Sequence, residues 1–163
     1  LYLSTGCDAE QTAKLMNQLG TEGHYTVTPE MKAKMADFCG GFATEAEDAA
    51  AIRELYDETG YVIDTHTGVA SAVYQQYKKN TGDETKTVIA STASPYKFSR
   101  SVMEAISDEK LPEDEFAVID ELCRVSGVEI PKAVEEIRNA QIRHKLECDV
   151  QDMKKTVAKI LGI

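Results

Sequence analysis

The residues best suited to chemistry lie in the segment from Thr87 to Phe98, Thr-Val-Ile-Ala-Ser-Thr-Ala-Ser-Pro-Tyr-Lys-Phe. Its first four residues are typical of a short buried strand, and Ser94-Pro95 is typical of a helix start. The hydroxyls of Ser91 and Thr92 lie between these two elements and can donate or accept hydrogen bonds. Because ligands of α/β proteins usually bind in the loops that follow strands, we expect the ligand site in this segment.

A second pair of polar residues, Asp64 and His66, follows the apolar stretch 61–63. We interpret Asp64 first as the N-cap of a helix, and His66 as a hydrogen-bonded residue of its first turn. The alternative is that this turn faces an active-site cleft and helps to position the loop around Thr92. A metal site is not expected, because neither a cysteine nor a second histidine lies nearby in the sequence.

The elements that must position these groups are mainly helices. Caps, prolines and glycines predict eight helix starts, at Asp8, Thr28-Pro29, Thr44, Asp64, Ser94-Pro95, after Leu111-Pro112, at Pro131 and near Asp149. Their predicted stops include Gly20, Gly40-Gly41, Gly60 and Gly127, and Val134 with Ile137 is the predicted buried pair of the seventh helix.

Two short strands, 61–63 and 87–91, alternate with the predicted helices 65–79 and 95–106. Such alternation is typical of an α/β fold with a parallel sheet and crossover helices. Two short strands cannot form a stable parallel sheet, so either they are marginal or they belong to a larger sheet whose other strands lie outside this sequence, and we favour the second. The sequence begins with Leu1 rather than Met, and we interpret it as part of a longer protein.

Composition narrows the possible partners. The 163 residues carry a net charge of −10 and have a pI near 4.8, which argues against nucleic acid, whose phosphates require clustered Lys and Arg. No apolar run approaches the roughly 20 residues that span a bilayer, and no signal peptide is recognised, so no membrane partner is expected. Four cysteines without a C-x-x-C pair are typical of free thiols in a reducing cytoplasm.

Two motifs carry a resemblance to a known family. Residues 60–69, Gly-Tyr-Val-Ile-Asp-Thr-His-Thr-Gly-Val, resemble the G-Y-x-x-D-P-H-T-A-V passage of threonine synthases. Residues 91–98, Ser-Thr-Ala-Ser-Pro-Tyr-Lys-Phe, resemble the T-A-H-P-A-K-F passage of the same family, and the order and spacing of the two motifs agree. The sequence departs from the family at Thr65 (Pro), Gly68 (Ala), Ser94 (His) and Tyr96 (Ala). Ser94 keeps the helix start, and the role of the family histidine is not carried over to this position.

The resemblance implies the C-terminal part of a pyridoxal-phosphate enzyme of the tryptophan-synthase-like fold, fold type II. By motif position Thr92 is the residue whose hydroxyl meets the pyridine nitrogen of pyridoxal 5'-phosphate. The alternative is that Thr92 only satisfies backbone groups in an ST-turn. We expect Ser91 and Ser94 to act as turn and cap residues. The alternative for these two serines, as for Asp64 and His66, is a supporting contact close to the cofactor.

The resemblance also implies the reaction, in which O-phospho-L-homoserine and water give L-threonine and phosphate. The catalytic lysine of the family lies upstream, so we expect no catalytic residue here, an inactive isolated segment, and the missing N-terminal part as partner. Lys97 is not the cofactor lysine; we expect a partly buried stem with its amine hydrogen-bonded near the loop.

We divide the chain into a helical region (1–59), a strand-helix-strand-helix region with the cofactor-side loop (60–110) and a helical tail (111–163). The alternative to the enzyme is a free-standing acidic helical module that binds a partner protein.

Overall fold

The computed structural model describes residues 1–163, which form eight α-helices and two short 3-10 helices. The α-helices are α1 (Ala9–Glu22), α2 (Pro29–Lys34), α3 (Glu45–Thr59), α4 (Thr65–Thr81), α5 (Ser99–Ile106), α6 (Glu115–Ser126), α7 (Lys132–Arg138) and α8 (Met153–Leu161). The 3-10 helices, Pro95–Phe98 and Val150–Asp152, directly precede α5 and α8. The chain divides into two compact units, Leu1–Ala43 and Thr44–Ile163. None of the helices is long and apolar enough to span a bilayer.

The first unit begins its helices where the sequence predicts and ends them elsewhere. Asp8 caps α1 through the backbone N–H of Gln11, but the helix runs past Gly20 and ends at Gly23, which has a φ of 75°. A stop in this left-handed conformation favours glycine because a Cβ would be strained there, and Gly20 remains helical. Thr28 caps α2, which ends at Lys34 in a turn, well before the predicted stop at Gly40.

The second unit contains the main hydrophobic core. Helix α3 packs against α4 and α5, and α5 packs against α6. The most deeply buried side chains of this core are contributed by α3, α5 and α6, namely Ile52, Val102, Met103, Val118 and Leu122. Burial of each such aliphatic side chain contributes about 1.5–3 kcal/mol, so this helical cluster, rather than a sheet, holds the unit together.

The caps of the second unit agree with the sequence. Thr44 and Glu47 form a complete capping box at the start of α3, and Gly60 ends that helix in the left-handed conformation. Asp64 caps α4, and Gly127 ends α6. These positions fix where α3 ends and α4 begins, and therefore where the polar residues that follow position 63 lie.

The prediction of two short strands is wrong. The structure contains no strand: residues 61–63 and 87–91 lie outside every helix and pair with no neighbouring segment. Val62 and Ile63 pack instead into the helical core, whereas Val88 is 90% exposed. A strand needs a neighbour to satisfy its backbone groups, and residues 1–163 provide none for either segment.

Two apolar helix faces near the C-terminus remain exposed. Ile137 of α7 is 62% exposed, so the predicted burial of Val134 with Ile137 is wrong for that residue. Helix α8 has no buried residue, and Met153, Val157 and Ile160 all face solvent. The helical period of these segments is as predicted, but the surface that would cover their apolar faces is absent from the fold.

Candidate active site

Asp64 is the most buried polar side chain of the second unit, with 1% of its surface exposed. Its Oδ1 accepts hydrogen bonds from the backbone N–H groups of His66 (2.9 Å) and Thr67 (3.4 Å), and its Oδ2 accepts one from the Thr67 hydroxyl. Burial alone would raise the pKa of this carboxyl. The hydrogen bonds from Thr67 and His66 together outweigh burial and hold the pKa below its usual value. Asp64 is therefore an ionised acceptor at neutral pH.

The His66 ring lies at the surface beside this carboxylate. Its Nδ1 is 3.1 Å from Asp64 Oδ1, while about half of its side chain, 54%, remains exposed. The ring centroid is 5.6 Å from that of Phe98. The first turn of α4 and the end of the second motif are thus in direct contact.

Thr67 connects the buried carboxylate to the predicted ligand loop. Its hydroxyl oxygen is 3.0 Å from the Ser91 hydroxyl, 24 positions further along the chain. The sequence interpretation missed Thr67, since a buried threonine on an apolar helix face is usually structural. The detectable signal is its position three residues after the Asp64 cap, where a side chain can reach back to the capping residue.

Thr92 presents a free hydroxyl. The residue is exposed, and its side chain makes no hydrogen bond within the chain, so the structure contains no ST-turn at this position. The neighbouring serines differ: Ser91 bonds to Thr67, and Ser94 caps the 3-10 helix through the backbone N–H of Tyr96 at 3.3 Å. Among the hydroxyls of Ser91, Thr92 and Ser94, the one at Thr92 has no partner within the chain, whereas Ser94 uses its oxygen as an acceptor and keeps its own proton.

Tyr96, which stands where the family has Ala, anchors the helix start that follows the loop. It is buried, and its hydroxyl donates a hydrogen bond to the carbonyl of Val128, just past the end of α6. Burial first, and its neighbour Cys123 second, raise the pKa of Tyr96 to about 12, so the phenol keeps its proton. The anchor fixes the C-terminal end of the loop on the helical core.

Lys97 does not have the environment expected from the sequence. The residue is exposed, and its Nζ lies 5.5 Å from the centroid of the Phe98 ring rather than in a hydrogen bond near the loop. This distance is within the range of a cation–π contact with the ring. Lys97 therefore has none of the desolvation that activates a lysine as a nucleophile.

An open cleft of about 580 Å³ lies between α3, α4 and α5, with His66 and Phe98 on its wall. Asp48 also lines it, and its buried Oδ1 has no hydrogen-bond partner. Burial raises the pKa of Asp48, and the negative charge of Asp64 raises it further against the opposing effect of His66. The cleft lacks Ser91 and Thr92, so it is separate from the hydroxyl loop. No group of three or more metal-binding side chains is present in the structure.

Comparisons with known proteins agree with the resemblance to threonine synthases. Residues 67–157 match the family model described as threonine synthase, C-terminal. The chain is 30% identical over 114 residues to human "Threonine synthase-like 1", which aligns 69% of this chain with 15% of that protein. It is 34% identical over 101 residues to the threonine synthase of Schizosaccharomyces pombe, covering 61% of this chain and 20% of that protein.

A solved structure is also similar. The crystal structure of PLP bound threonine synthase from Brucella melitensis aligns with a TM-score of 0.55 and 25% sequence identity. The alignment covers 78% of this chain and 26% of the Brucella chain. This chain therefore spans only about a fifth of its relatives' length. The family model nevertheless matches more than half of residues 1–163, and the chain belongs to the threonine synthase C-terminal family.

Proposed function

We propose that this chain provides one wall of the pyridoxal 5'-phosphate site of a threonine synthase, and that Thr92 contacts the pyridine nitrogen of the cofactor. The observation that supports this proposal is the exposed Thr92 hydroxyl, which has no partner within the chain while Ser91 and Ser94 on either side both do. The Brucella threonine synthase was crystallised with this cofactor bound, and the family relationship extends that expectation to this chain.

A threonine hydroxyl suits a pyridine nitrogen chemically. It can donate a hydrogen bond to an unprotonated ring nitrogen without fixing a positive charge there, whereas an aspartate would favour the protonated ring. When bound, pyridoxal phosphate supplies a conjugated ring that accepts electrons from the amino-acid substrate. Thr92 would orient that ring and moderate its capacity to accept electrons.

The proposed reaction converts O-phospho-L-homoserine and water to L-threonine and phosphate. Lys97 is not a candidate for the cofactor lysine, because it is a solvent-exposed cation over Phe98. The lysine and most contacts to the substrate phosphate would come from the remainder of the polypeptide, with which residues 60–110 would form the site. We place the protein in a reducing cytoplasm, consistent with four free cysteines.

The test is Thr92→Ala in the complete polypeptide that contains this chain. Loss of one hydrogen bond should weaken pyridoxal phosphate binding roughly tenfold and shift its visible absorbance maximum. Titration of the cofactor-free protein measures the affinity, and release of phosphate from O-phospho-L-homoserine measures the activity. Thr92→Ser should restore most of both.

Thr87→Ala is the matched control, because the Thr87 hydroxyl bonds only to the nearby carbonyl of Thr85. An unchanged spectrum and affinity in Thr92→Ala would remove Thr92 from the site. If the complete wild-type polypeptide binds no pyridoxal phosphate, the helical interaction module becomes the better description. Binding of the cofactor without formation of threonine would keep the site and reject the substrate.

A further inference from the structure

We infer that Thr67 is a positioning residue of the cofactor site, which ties the loop containing Thr92 to the buried carboxylate of Asp64 through the Ser91 hydroxyl. The inference rests on the proposed function and deepens it. It assigns the fixed position of the loop to a series of hydrogen bonds through three side chains, those of Asp64, Thr67 and Ser91.

The loop has few other attachments. No other hydrogen bond joins residues 88–93 to another element, and Ser91 and Thr92 are both exposed. The residues at the other side of this hydrogen bond differ from Ser91 in exposure, because Asp64 and Thr67 are both buried. Between its anchored C-terminal end at Tyr96 and residue 88, the exposed loop thus makes a single hydrogen bond to another element, at the buried start of α4.

The direction of the protons follows from the chemistry of the three groups. The ionised Asp64 carboxylate can only accept, so the single hydroxyl proton of Thr67 goes to Asp64 Oδ2. The hydrogen bond between Thr67 and Ser91 must then use the proton of Ser91. Ser91 therefore has no proton left for a ligand, and Thr92 is the free hydroxyl donor of the pair.

The experiment compares Thr67→Val, Ser91→Ala and the double variant in the complete polypeptide. Each single change should weaken pyridoxal phosphate binding roughly fivefold, which corresponds to one hydrogen bond. Both changes remove the same hydrogen bond. The double variant should therefore bind pyridoxal phosphate no less tightly than the single variant that has the lower affinity. Thr67→Ser, which keeps the hydroxyl, should restore wild-type affinity. Ser91 is exposed, so Ser91→Ala tests the link even if Thr67→Val folds poorly.

The matched control is Thr65→Val, the same substitution in the same helical turn at a residue whose hydroxyl makes no hydrogen bond; it should leave affinity unchanged. Backbone NMR order parameters for residues 88–93, measured without cofactor, should fall in Thr67→Val and Ser91→Ala but not in Thr65→Val.

The outcomes separate this inference from the proposed function. If Thr92→Ala weakens cofactor binding while Thr67→Val and Ser91→Ala do not, the positioning role fails and the proposed function stands. Effects that multiply in the double variant also overturn the link, because they would show two independent contacts. If the wild-type polypeptide binds no pyridoxal phosphate, the proposed function fails and the positioning role fails with it.

Discussion

The two motifs that meet in this chain differ in how they are held. The start of α4, residues 60–68, places its polar groups against buried partners, with Asp64 at 1% exposure. In the segment 87–93 every residue except the half-buried Ile89 and Ala93 is exposed, and the segment makes a single hydrogen bond to another element. The difference shows that local contacts within the chain are sufficient for the first motif but leave residues 87–93, which lead into the second motif, with little support.

This contrast suits the proposed roles of the two motifs. A group that contacts a ligand must keep its hydrogen-bonding capacity free, as Thr92 does, whereas a group that positions it must have its own geometry fixed by neighbours. Residues 60–68 meet the requirement for a positioning group, because neighbours within this segment fix the geometry of Asp64. The loop satisfies the first condition and depends on Thr67 for its position.

Replacement of Asp64 should have the largest effect on the well-supported motif. Asp64→Ala removes the cap of α4 and leaves buried donors of Thr67 without an acceptor, so we expect a loss of about 3 kcal/mol in the free energy of unfolding. Asp114→Ala is the matched control, because Asp114 caps α6 from an exposed position through one bond to Ala117; its loss should be about 1 kcal/mol. Urea unfolding measures both.

Equal losses of unfolding free energy in Asp64→Ala and Asp114→Ala would show that Asp64 is an ordinary helix cap. The first motif would then not be better supported than the loop. Ser91→Ala in the same assay should change the free energy of unfolding by less than about 0.5 kcal/mol, as for an exposed side chain. A large loss at Ser91 would mean that the loop supports the helix, rather than the reverse.

The sequence is informative where structure depends on local chemistry. The capping box of Thr44 and Glu47, the Asp64 cap and the stop at Gly127 follow from a few adjacent residues, and the sequence predicts all of them. The predicted strand at 87–91 is absent, because pairing depends on a neighbour that no local pattern supplies. The bond from Thr67 to Ser91 joins positions 24 apart, and no spacing in the sequence predicts that they meet.

The tight packing at the start of α4 should be visible at Gly68, where the family has Ala. A Cβ built at Gly68 would lie 2.0 Å from Asp48 Oδ1 and 2.8 Å from Cγ1 of Ile52. Gly68→Ala should therefore cost about 2 kcal/mol of stability, the usual size of an overpacking effect. Gly20→Ala, in helix α1 with nothing within 4 Å, should instead stabilise the protein by about 0.5–1 kcal/mol.

The double variant Gly68→Ala with Asp48→Ala should recover most of the loss, because the carboxylate that meets the new methyl group is gone. Thermal unfolding of the wild type, the two single variants and the double variant measures the coupling. If the loss persists in the double variant, Ile52 rather than Asp48 sets the limit on the size of residue 68.

The smallest expected effect concerns the pH dependence of Asp48, which lies next to Asp64 but has the opposite pKa shift. Burial and the charge of Asp64 raise the pKa of Asp48 above its value in the unfolded chain. Its contribution to stability is thus fully present in acid and is lost as the pH rises through the folded-state pKa. Asp48→Asn cannot ionise, so it should unfold at higher urea than the wild type at pH 7, by less than about 1 kcal/mol.

The advantage of Asp48→Asn should shrink towards about pH 3, where Asp48 is protonated in both the folded and the unfolded states. A benefit that stays constant over this pH range would show that shape rather than charge explains it. Asp64 carries the opposite sign, because its lowered pKa makes its contribution largest at neutral pH. Of two carboxylates beside one helix start, the one with hydrogen-bond donors stabilises the turn as an anion, and the one without them is a charge that the fold tolerates.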